Sequence, residues 1–505
     1  MPEPARADAT SLAATAESVR RAQGPWAAAG FERRLAVLQD AGRRLGRARE
    51  ALHAALRADG LSVAMAEFYG EWILHAGDPR LLERYARSLV RWVPRSTEAG
   101  CPAHPSERAG GGELLLRRPD GVVLLVPPGN SPTINGSSVF SILLPGNGVV
   151  LRAPEQDRGL RLLVESVLQP ALGEAGLAPE LVQVVAGKSR AVLEGLVPSP
   201  DVNTVVFFGN STAAQAVAAL AHQHRKKLVL ELDGGDHLVV WRDADIPAAV
   251  RSASHAWDAS TQPCIVPKHL LVHGAVFDQF LAEFLARLPE HSRTVEADPV
   301  HGVLVPAGRG EEFDAAFAEL REVGEVRCGG YRMDPQGTPA PEGRYLAPTV
   351  VTLPAETVLQ RPLRCFTHEI FFPLIPVVRC AGSDDEIAEQ MLRIIGESPF
   401  GLRASVWARD PAVLGRFAQA IGSVGLVIFN DDHARSPDFA SPWGGPKRSG
   451  GPYGESHFFW EKTSRLQAFS LGTLAGPEIA AICEALGCRT WVTGLAGPAG
   501  GGGGA

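Results

Sequence analysis

One cysteine stands out for its setting. Cys264 ends the stretch "ASTQPC", with Pro263 before it and the short apolar run "IVP" after it. A free thiol has a pKa of about 8.5, so only a few per cent is thiolate at neutral pH. A nearby base or a helix N-terminus turns it into a strong nucleophile. The bland reading is a small apolar residue filling a core, and that reading suits the other cysteines, at 101, 328, 365, 380, 483 and 488. Glu231 closes the strand-like run "LVLEL" just before "DGG". An acidic residue at the C-terminal end of a parallel strand sits where such sheets place ligands, although it can equally be a solvated strand end. Asn130 lies in the turn "VPPGNSP". Its amide can donate to a developing oxyanion, or simply stabilise the turn. A soft nucleophile, an amide donor and a carboxylate base are the parts that covalent carbonyl chemistry needs.

These residues depend on the elements around them. "VNTVVFFGNSTAAQAVAALAHQHRKKLVLEL" reads as strand, turn, helix, strand. Gly209 permits close backbone approach, and Ser211 or Thr212 is expected to cap the helix. Its free N–H groups then face a pyrophosphate-sized anion. An ordinary βαβ unit has the same appearance, and there is no GxGxxG. Residues from about 12 to 92 carry apolar positions at helical spacing. Residues 93–117, rich in Gly, Pro and Ser, read as a loop or hairpin outside the core. From 121 onward short apolar strands, "GVVLLVP", "NGVVLRAP", "LVQVVAG" and "TVVFFG", alternate with helices, and a second such stretch runs from about 233 to 432. The pattern predicts an α/β fold with parallel sheets covered on both faces.

The totals exclude several classes. The chain has 505 residues, 45% hydrophobic and 21% charged, with a net charge of -7 spread along its length. That suits two or three globular domains and provides no basic face for nucleic acid. The seven cysteines form no CxxC pair, so neither a disulfide framework nor a metal site is expected. The N-terminal stretch lacks the apolar core of a secretion signal, and no apolar run is long enough to span a membrane. A cytoplasmic location is expected. The closing "GLAGPAGGGGGA" is low in complexity and is expected to be disordered.

The order of the motifs is more specific than any one of them. From about residue 12 to 470 the chain resembles the NAD(P)-dependent aldehyde dehydrogenase superfamily. "VPPGNSP" is similar to the family's Pro-Trp-Asn-Phe-Pro turn, with Gly129 in place of Trp. "GNGVVLRAPEQ", "VVFFGNS", "LVLELDGGD", "STQPC", "HEIFFPLIPV" and "PWGGPKRSG" resemble its further motifs in the same order. The resemblance implies that Cys264 attacks the aldehyde and forms a thiohemiacetal. Asn130 and the Cys264 backbone N–H hold the oxyanion, hydride passes to the nicotinamide, and Glu231 activates the water that hydrolyses the thioester. It also implies that Arg152 and Glu155 contact the adenosine ribose. Gly209 and Asn210 would lie at the pyrophosphate, and Glu369 and Phe371 at the nicotinamide ribose and ring. NAD is favoured, with NADP possible, because Arg152 suits a 2′-phosphate while Glu155 repels one.

The implied layout is a Rossmann-like cofactor domain from 1–93 and 118–232, rejoined by 433–463. An α/β catalytic domain spans 233–432, and a small β oligomerisation flap comes from 94–117 and 464–475. Residues 476–505 form a C-terminal extension without an assigned role. The flap implies a homodimer or homotetramer. Trp257, Phe371, Trp443, Phe458 and Phe459 are candidates to line an aldehyde tunnel or to fill cores, with a mild preference for an apolar or aromatic aldehyde. The chain also departs from the family. "NGSSVF" has no lysine nine residues after Asn130, the family's Gly-Gly-Lys is Asp-Gly-Gly, and "SGGPYGESHFF" reshapes another turn. Two other readings stand beside the main one. A coenzyme-A-acylating relative is disfavoured by Glu231. A non-catalytic binding subunit is disfavoured by the joint presence of Cys264, Glu231 and Asn130.

Overall fold

The structure is a computed structural model describing residues 9–61, 63–94, 112–155, 157–288, 309–334, 336–434, 443–451, 457–471, 474 and 476–488. The expectations for Cys101, for 95–111 of the flap and for the Gly-rich tail fall outside these residues. The N-terminal region forms the helices Ala9–Ala28, Phe31–Arg47, Arg49–Ala58, Val63–Ala76 and Pro79–Ser88. The helical reading to residue 92 ran slightly too far. β-branched and aromatic residues take over in "VRWVP", which is strand β1 (Val90–Pro94). It pairs antiparallel with β2 (Gly112–Pro119).

β3 (Val122–Val126), β4 (Gly148–Ala153), β5 (Val182–Ala186), β6 (Thr204–Phe208) and β7 (Lys227–Glu231) form a parallel sheet in the order β5-β4-β3-β6-β7. Every residue of β3 is buried. Val123 and Leu125 pack into the core shared with the N-terminal helices, while Val122, Leu124 and Val126 pack into the core on the other face. Burial on both faces explains why the strand reads as an unbroken apolar run. β8 (Asp236–Val240), β9 (Pro267–His273), β10 (Glu325–Cys328), β13 (Thr349–Pro354), β14 (Leu374–Cys380), β15 (Arg403–Trp407) and β16 (Leu426–Phe429) form the second sheet, ordered β10-β13-β14-β9-β8-β15-β16. It is parallel except for the edge strand β10. The short strands β11 (Arg332–Met333) and β12 (Tyr345–Leu346) make a separate ladder. β17 (Ser464–Ser470) returns to pair with β2, completing a three-stranded antiparallel sheet with β1.

The segment that sequence reading left without a role has a structural one. Helix Gly476–Ala485 leads into a turn whose carbonyls at Leu486 and Gly487 accept from the N–H groups of Phe31 (3.3 Å) and Glu32 (2.9 Å). The extension therefore caps the start of helix Phe31–Arg47, whose N-cap Gly30 has no side chain to do so.

Asn147 holds three elements together. Fully buried, it accepts from the Gly121 N–H (3.0 Å) and donates to the carbonyls of Ile142 (2.9 Å) and Thr463 (2.9 Å). Asn147→Ala removes all three bonds and leaves buried partners unsatisfied. A loss of about 3–5 kcal/mol is expected in denaturant unfolding, well beyond a surface substitution.

Candidate active site

The chain passes from the first sheet to the second through Leu232, Asp233, Gly234 and Gly235, and this crossover shapes the site. A Cβ on Gly234 would lie 2.2 Å from the Cys264 carbonyl oxygen, and one on Gly235 would lie 2.2 Å from the Phe400 ring. Only glycines let the backbone run this close to the cysteine turn. Ser449, from "PWGGPKRSG", fastens the crossover. Its hydroxyl donates to the Asp233 carbonyl (2.6 Å), and its own carbonyl accepts from the Leu232 N–H (2.9 Å). The Gly234 N–H donates to the Glu369 carboxylate.

Cys264 sits in the turn between the 3-10 helix His255–Thr261 and β9, partly exposed at the surface of the turn. Burial pushes its thiol up to about 12, and the carboxylates of Glu369 and Asp236 add to the effect against Arg403 and Lys268. These four charged side chains belong to a polar cluster within the second sheet. Asp236 is buried, accepts from the Arg403 N–H (3.1 Å) and pairs with His433 Nε2 (3.2 Å). His433 Nδ1 lies 2.8 Å from Ser405 Oγ. Lys268 is fully buried, and its ammonium donates to the carbonyls of Thr261 and Ile370. Burial lowers the lysine, and it raises Glu369 well above the usual carboxylate range.

Glu231 is the last residue of β7 and is buried. One oxygen, Oε1, accepts from the Lys462 ammonium, which also donates to the Trp443 carbonyl (2.8 Å). Burial raises the Glu231 carboxyl and Lys462 opposes that shift. Asn130 Nδ2 donates to the Gln262 carbonyl (3.0 Å), two residues before Cys264. The amide is thus tied to the cysteine turn, with its second N–H free of that bond.

The residues considered for cofactor contacts fall into two groups. Arg152 lies on β4 and donates from Nε to the Gly187 carbonyl (2.8 Å), while Glu155 is exposed just beyond that strand. Gly209 and Asn210 precede helix Ser211–Gln223. The expected cap at Ser211 or Thr212 is corrected here: Asn210 caps this helix, its Oδ1 accepting from the Ala213 N–H (2.7 Å). Asn210 is the residue with extended backbone, so its side chain turns back onto the first turn. The Ser211 N–H is taken by Asp233 Oδ2 (2.9 Å). A carboxylate from the crossover therefore rests where a pyrophosphate would approach. Glu369 lies by Cys264, and its buried Oε1 has no hydrogen-bond partner, leaving an acceptor that fits a ribose hydroxyl. The neighbouring Phe371 ring lies between the Lys268 ammonium (5.1 Å) and the Arg309 guanidinium (5.5 Å).

The tunnel candidates separate. Trp257 is a core residue stacked on Phe284 at 5.5 Å. Trp443, Phe458 and Phe459 line a pocket with Tyr85, Trp460 and Ser138. Trp443 also connects that pocket to Lys462, and through it to Glu231. Sequence reading missed Lys462, Asp236, Lys268, Arg403 and His433. A lysine in the apolar strand "IVPKHLLV" and an aspartate opening the buried "DHLVV" were signals of buried charge. Nothing in "FFWEKTS" marks Lys462.

Two measurements follow. Iodoacetamide labelling of Cys264 in cofactor-free protein, read by peptide mass spectrometry, is expected to keep rising from about pH 7 to about pH 10; a plateau near neutrality would show a stabilised thiolate. Asp233→Asn is expected to tighten nicotinamide dinucleotide binding in calorimetric titration by about 3- to 10-fold, because a negative charge leaves the helix N-terminus; unchanged or weaker binding would make Asp233 purely structural.

Residues 2–468 match the sequence profile of the aldehyde dehydrogenase family. The chain is 30% identical over 445 residues to vanillin dehydrogenase of Pseudomonas fluorescens, covering 86% of this chain and 85% of that protein. It is 27% identical over 352 residues to salicylaldehyde dehydrogenase of Pseudomonas putida, covering 68% of each. It is also 30% identical over 368 residues to the NADP(+) succinate-semialdehyde dehydrogenase 1 of Mycobacterium tuberculosis (strain ATCC 25618 / H37Rv), covering 71% of this chain and 75% of that one. Among solved structures it superposes on glyceraldehyde-3-phosphate dehydrogenase GapN from Methanocaldococcus jannaschii, complexed with NADP, with a TM-score of 0.76 at 19% identity, over 93% of this chain and 96% of that one. The fold, the order of the motifs and these matches agree: the chain belongs to the aldehyde dehydrogenase family.

Proposed function

We propose that the chain oxidises an apolar or aromatic aldehyde to its carboxylic acid through a covalent intermediate on Cys264. The observation that carries this reading is the crossover, whose glycines run flush against the Cys264 turn with Glu231 three residues upstream of Gly234 and Asn130 bonded to Gln262. Cys264 Sγ adds to the aldehyde carbon, and its proton passes to the carbonyl oxygen or to water. Asn130 donates to that oxygen as its charge develops. When bound, NAD or NADP supplies the hydride acceptor. The thioester left on Cys264 is hydrolysed by a water that gives a proton to Glu231. The C–S bond breaks as the acid forms, and the sulfur regains a proton.

Arg152 and Glu155 would hold the adenosine ribose, Gly209 and Asn210 the pyrophosphate, and Glu369 and Phe371 the nicotinamide ribose and ring. The unpartnered Glu369 Oε1 supports that assignment. The exposed Glu155 favours a free 2′-hydroxyl and hence NAD. The names of the relatives that act on vanillin and salicylaldehyde support an aromatic substrate. Glu231 supports hydrolysis over transfer of the acyl group to coenzyme A.

We place the catalytic domain at 233–432 and the flap at 94–117 and 464–475; the second large sheet supports the first limit, and the β1-β2-β17 sheet supports a flap. In the flap β17 is an edge strand with Leu466 58% exposed, which favours pairing with a second subunit in a homodimer or homotetramer. Among the described residues no helix is long and apolar enough to cross a membrane, and six cysteines are free thiols. The free thiols support a reducing, cytoplasmic location.

Purified protein is expected to reduce NAD faster than NADP with aromatic aldehydes, and faster with these than with succinate semialdehyde. Cys264→Ala is expected to abolish turnover. Glu231→Gln is expected to release about one reduced cofactor per subunit and then slow at least about 100-fold, with the acyl group found on Cys264 by mass spectrometry. Turnover that persists in Cys264→Ala would remove the covalent mechanism.

A further inference from the structure

The buried pair between Lys462 and Glu231 joins two elements that other contacts also hold. β7 is bonded along its length to β6, and β17, which begins two residues after Lys462, is paired along its length with β2. The pair joins the end of the first sheet to the residue just before β17, across 231 positions of sequence. Its side chains are 9% and 5% exposed. Isolated charges at such depth are unstable, and the ammonium opposes the upward push that burial gives the carboxyl. Lys462 has a second acceptor in the Trp443 carbonyl (2.8 Å), and its ammonium lies 5.5 Å from the Phe459 ring. Trp443 and Phe459 both line the aromatic pocket.

We propose that Lys462 is the positioning residue for Glu231: it holds the resting carboxylate parked against its ammonium, and releases it when the acyl group is in place on Cys264. The inference rests on the reading of Glu231 as the base for thioester hydrolysis. Once swung away from Lys462, Glu231 becomes more basic, because its nearest positive charge is lost while its surroundings stay apolar. The ammonium keeps the Trp443 carbonyl as its partner in that state.

No other charged side chain faces Glu231 at bonding distance among the described residues. Asp233 is turned to the Ser211 N–H, Lys227 at the far end of β7 pairs with Asp120, and Glu461 is turned to Arg117 and His457. The acid side of the pH profile for hydrolysis therefore reports the Lys462 charge. Removing that charge raises the Glu231 carboxyl further and moves the acid limb upward.

The test compares wild type with Lys462→Met, Lys462→Gln and Lys462→Arg, using benzaldehyde with NAD. Stopped-flow reduction reads acylation, and the steady-state rate across pH reads hydrolysis. Lys462→Met and Lys462→Gln are expected to keep a first turnover and to lose at least about tenfold in the steady state at neutral pH. Their acid limb should move up by about one pH unit or more, and Lys462→Arg should restore it. An unmoved acid limb in a folded Met or Gln variant, judged by its thermal melt, would overturn the proposal while leaving the Cys264 mechanism intact. Should both neutral variants fail to fold, an arginine variant that folds but does not retain the wild-type limb would overturn it as well. Failure of the Glu231 reading has a different signature: Glu231→Gln would then turn over like wild type.

Discussion

The site depends on a backbone that passes between two sheets with no room for a side chain. At Gly234 the chain lies so close to Cys264 that an added Cβ would meet its carbonyl oxygen at 2.2 Å. That contact sets the distance between the strand ending in Glu231 and the turn carrying the thiol. Ser449 reinforces it from a third segment, bonding to Leu232, to Asp233 and to the Gly401 N–H (3.0 Å). The "PWGGPKRSG" stretch thereby braces the crossover. Gly445 makes the same close approach to the Gly401 carbonyl (2.0 Å from an added Cβ).

Around this crossover the protein concentrates charge in a nearly dry interior. Asp236, Glu369, Lys268 and Arg403 act on Cys264, and burial is the main cause that raises Glu369 and lowers Lys268 and Arg403. Burial raises the thiol most, the acidic members add to that, and the basic members oppose it. Such a balance shifts easily when a charged ligand enters, since interactions in this environment are weakly screened. Pairing limits the cost of burying these groups: Asp236 is satisfied by Arg403 and His433, Lys268 by two carbonyls, and Glu231 by Lys462. One Glu369 oxygen, Oε1, is buried without a hydrogen-bond partner.

Lys462 and Asp233 are charged residues that the motifs did not lead one to expect at these places. No lysine follows Asn130 at the family's spacing, and Ser138 and its neighbours form one wall of the aromatic pocket there. A lysine instead reaches Glu231 from just before β17. Asp233 is a departure of the opposite kind. It puts a carboxylate at a helix N-terminus whose N–H groups suit a phosphate.

Composition and order decided much of this protein. Apolar strands buried on both faces had to read as continuous runs, so β3 to β7 were visible, and motif order identified the family and named Cys264, Glu231 and Asn130. Glycine in the crossover was also legible, because close backbone approach restricts the residue type. The charged shell was largely not. Lys462 lies 231 positions from Glu231, and His433 lies 197 from Asp236, so no local pattern links them. The cap at Asn210 and the fate of Trp257 likewise rested on backbone angles and on which face of an element met a core. Sequence determines which residue types are present and what each strand can bury. Only the tertiary structure decides which charges meet, because pairing in a buried site depends on distance in space and on the shared cost of leaving water.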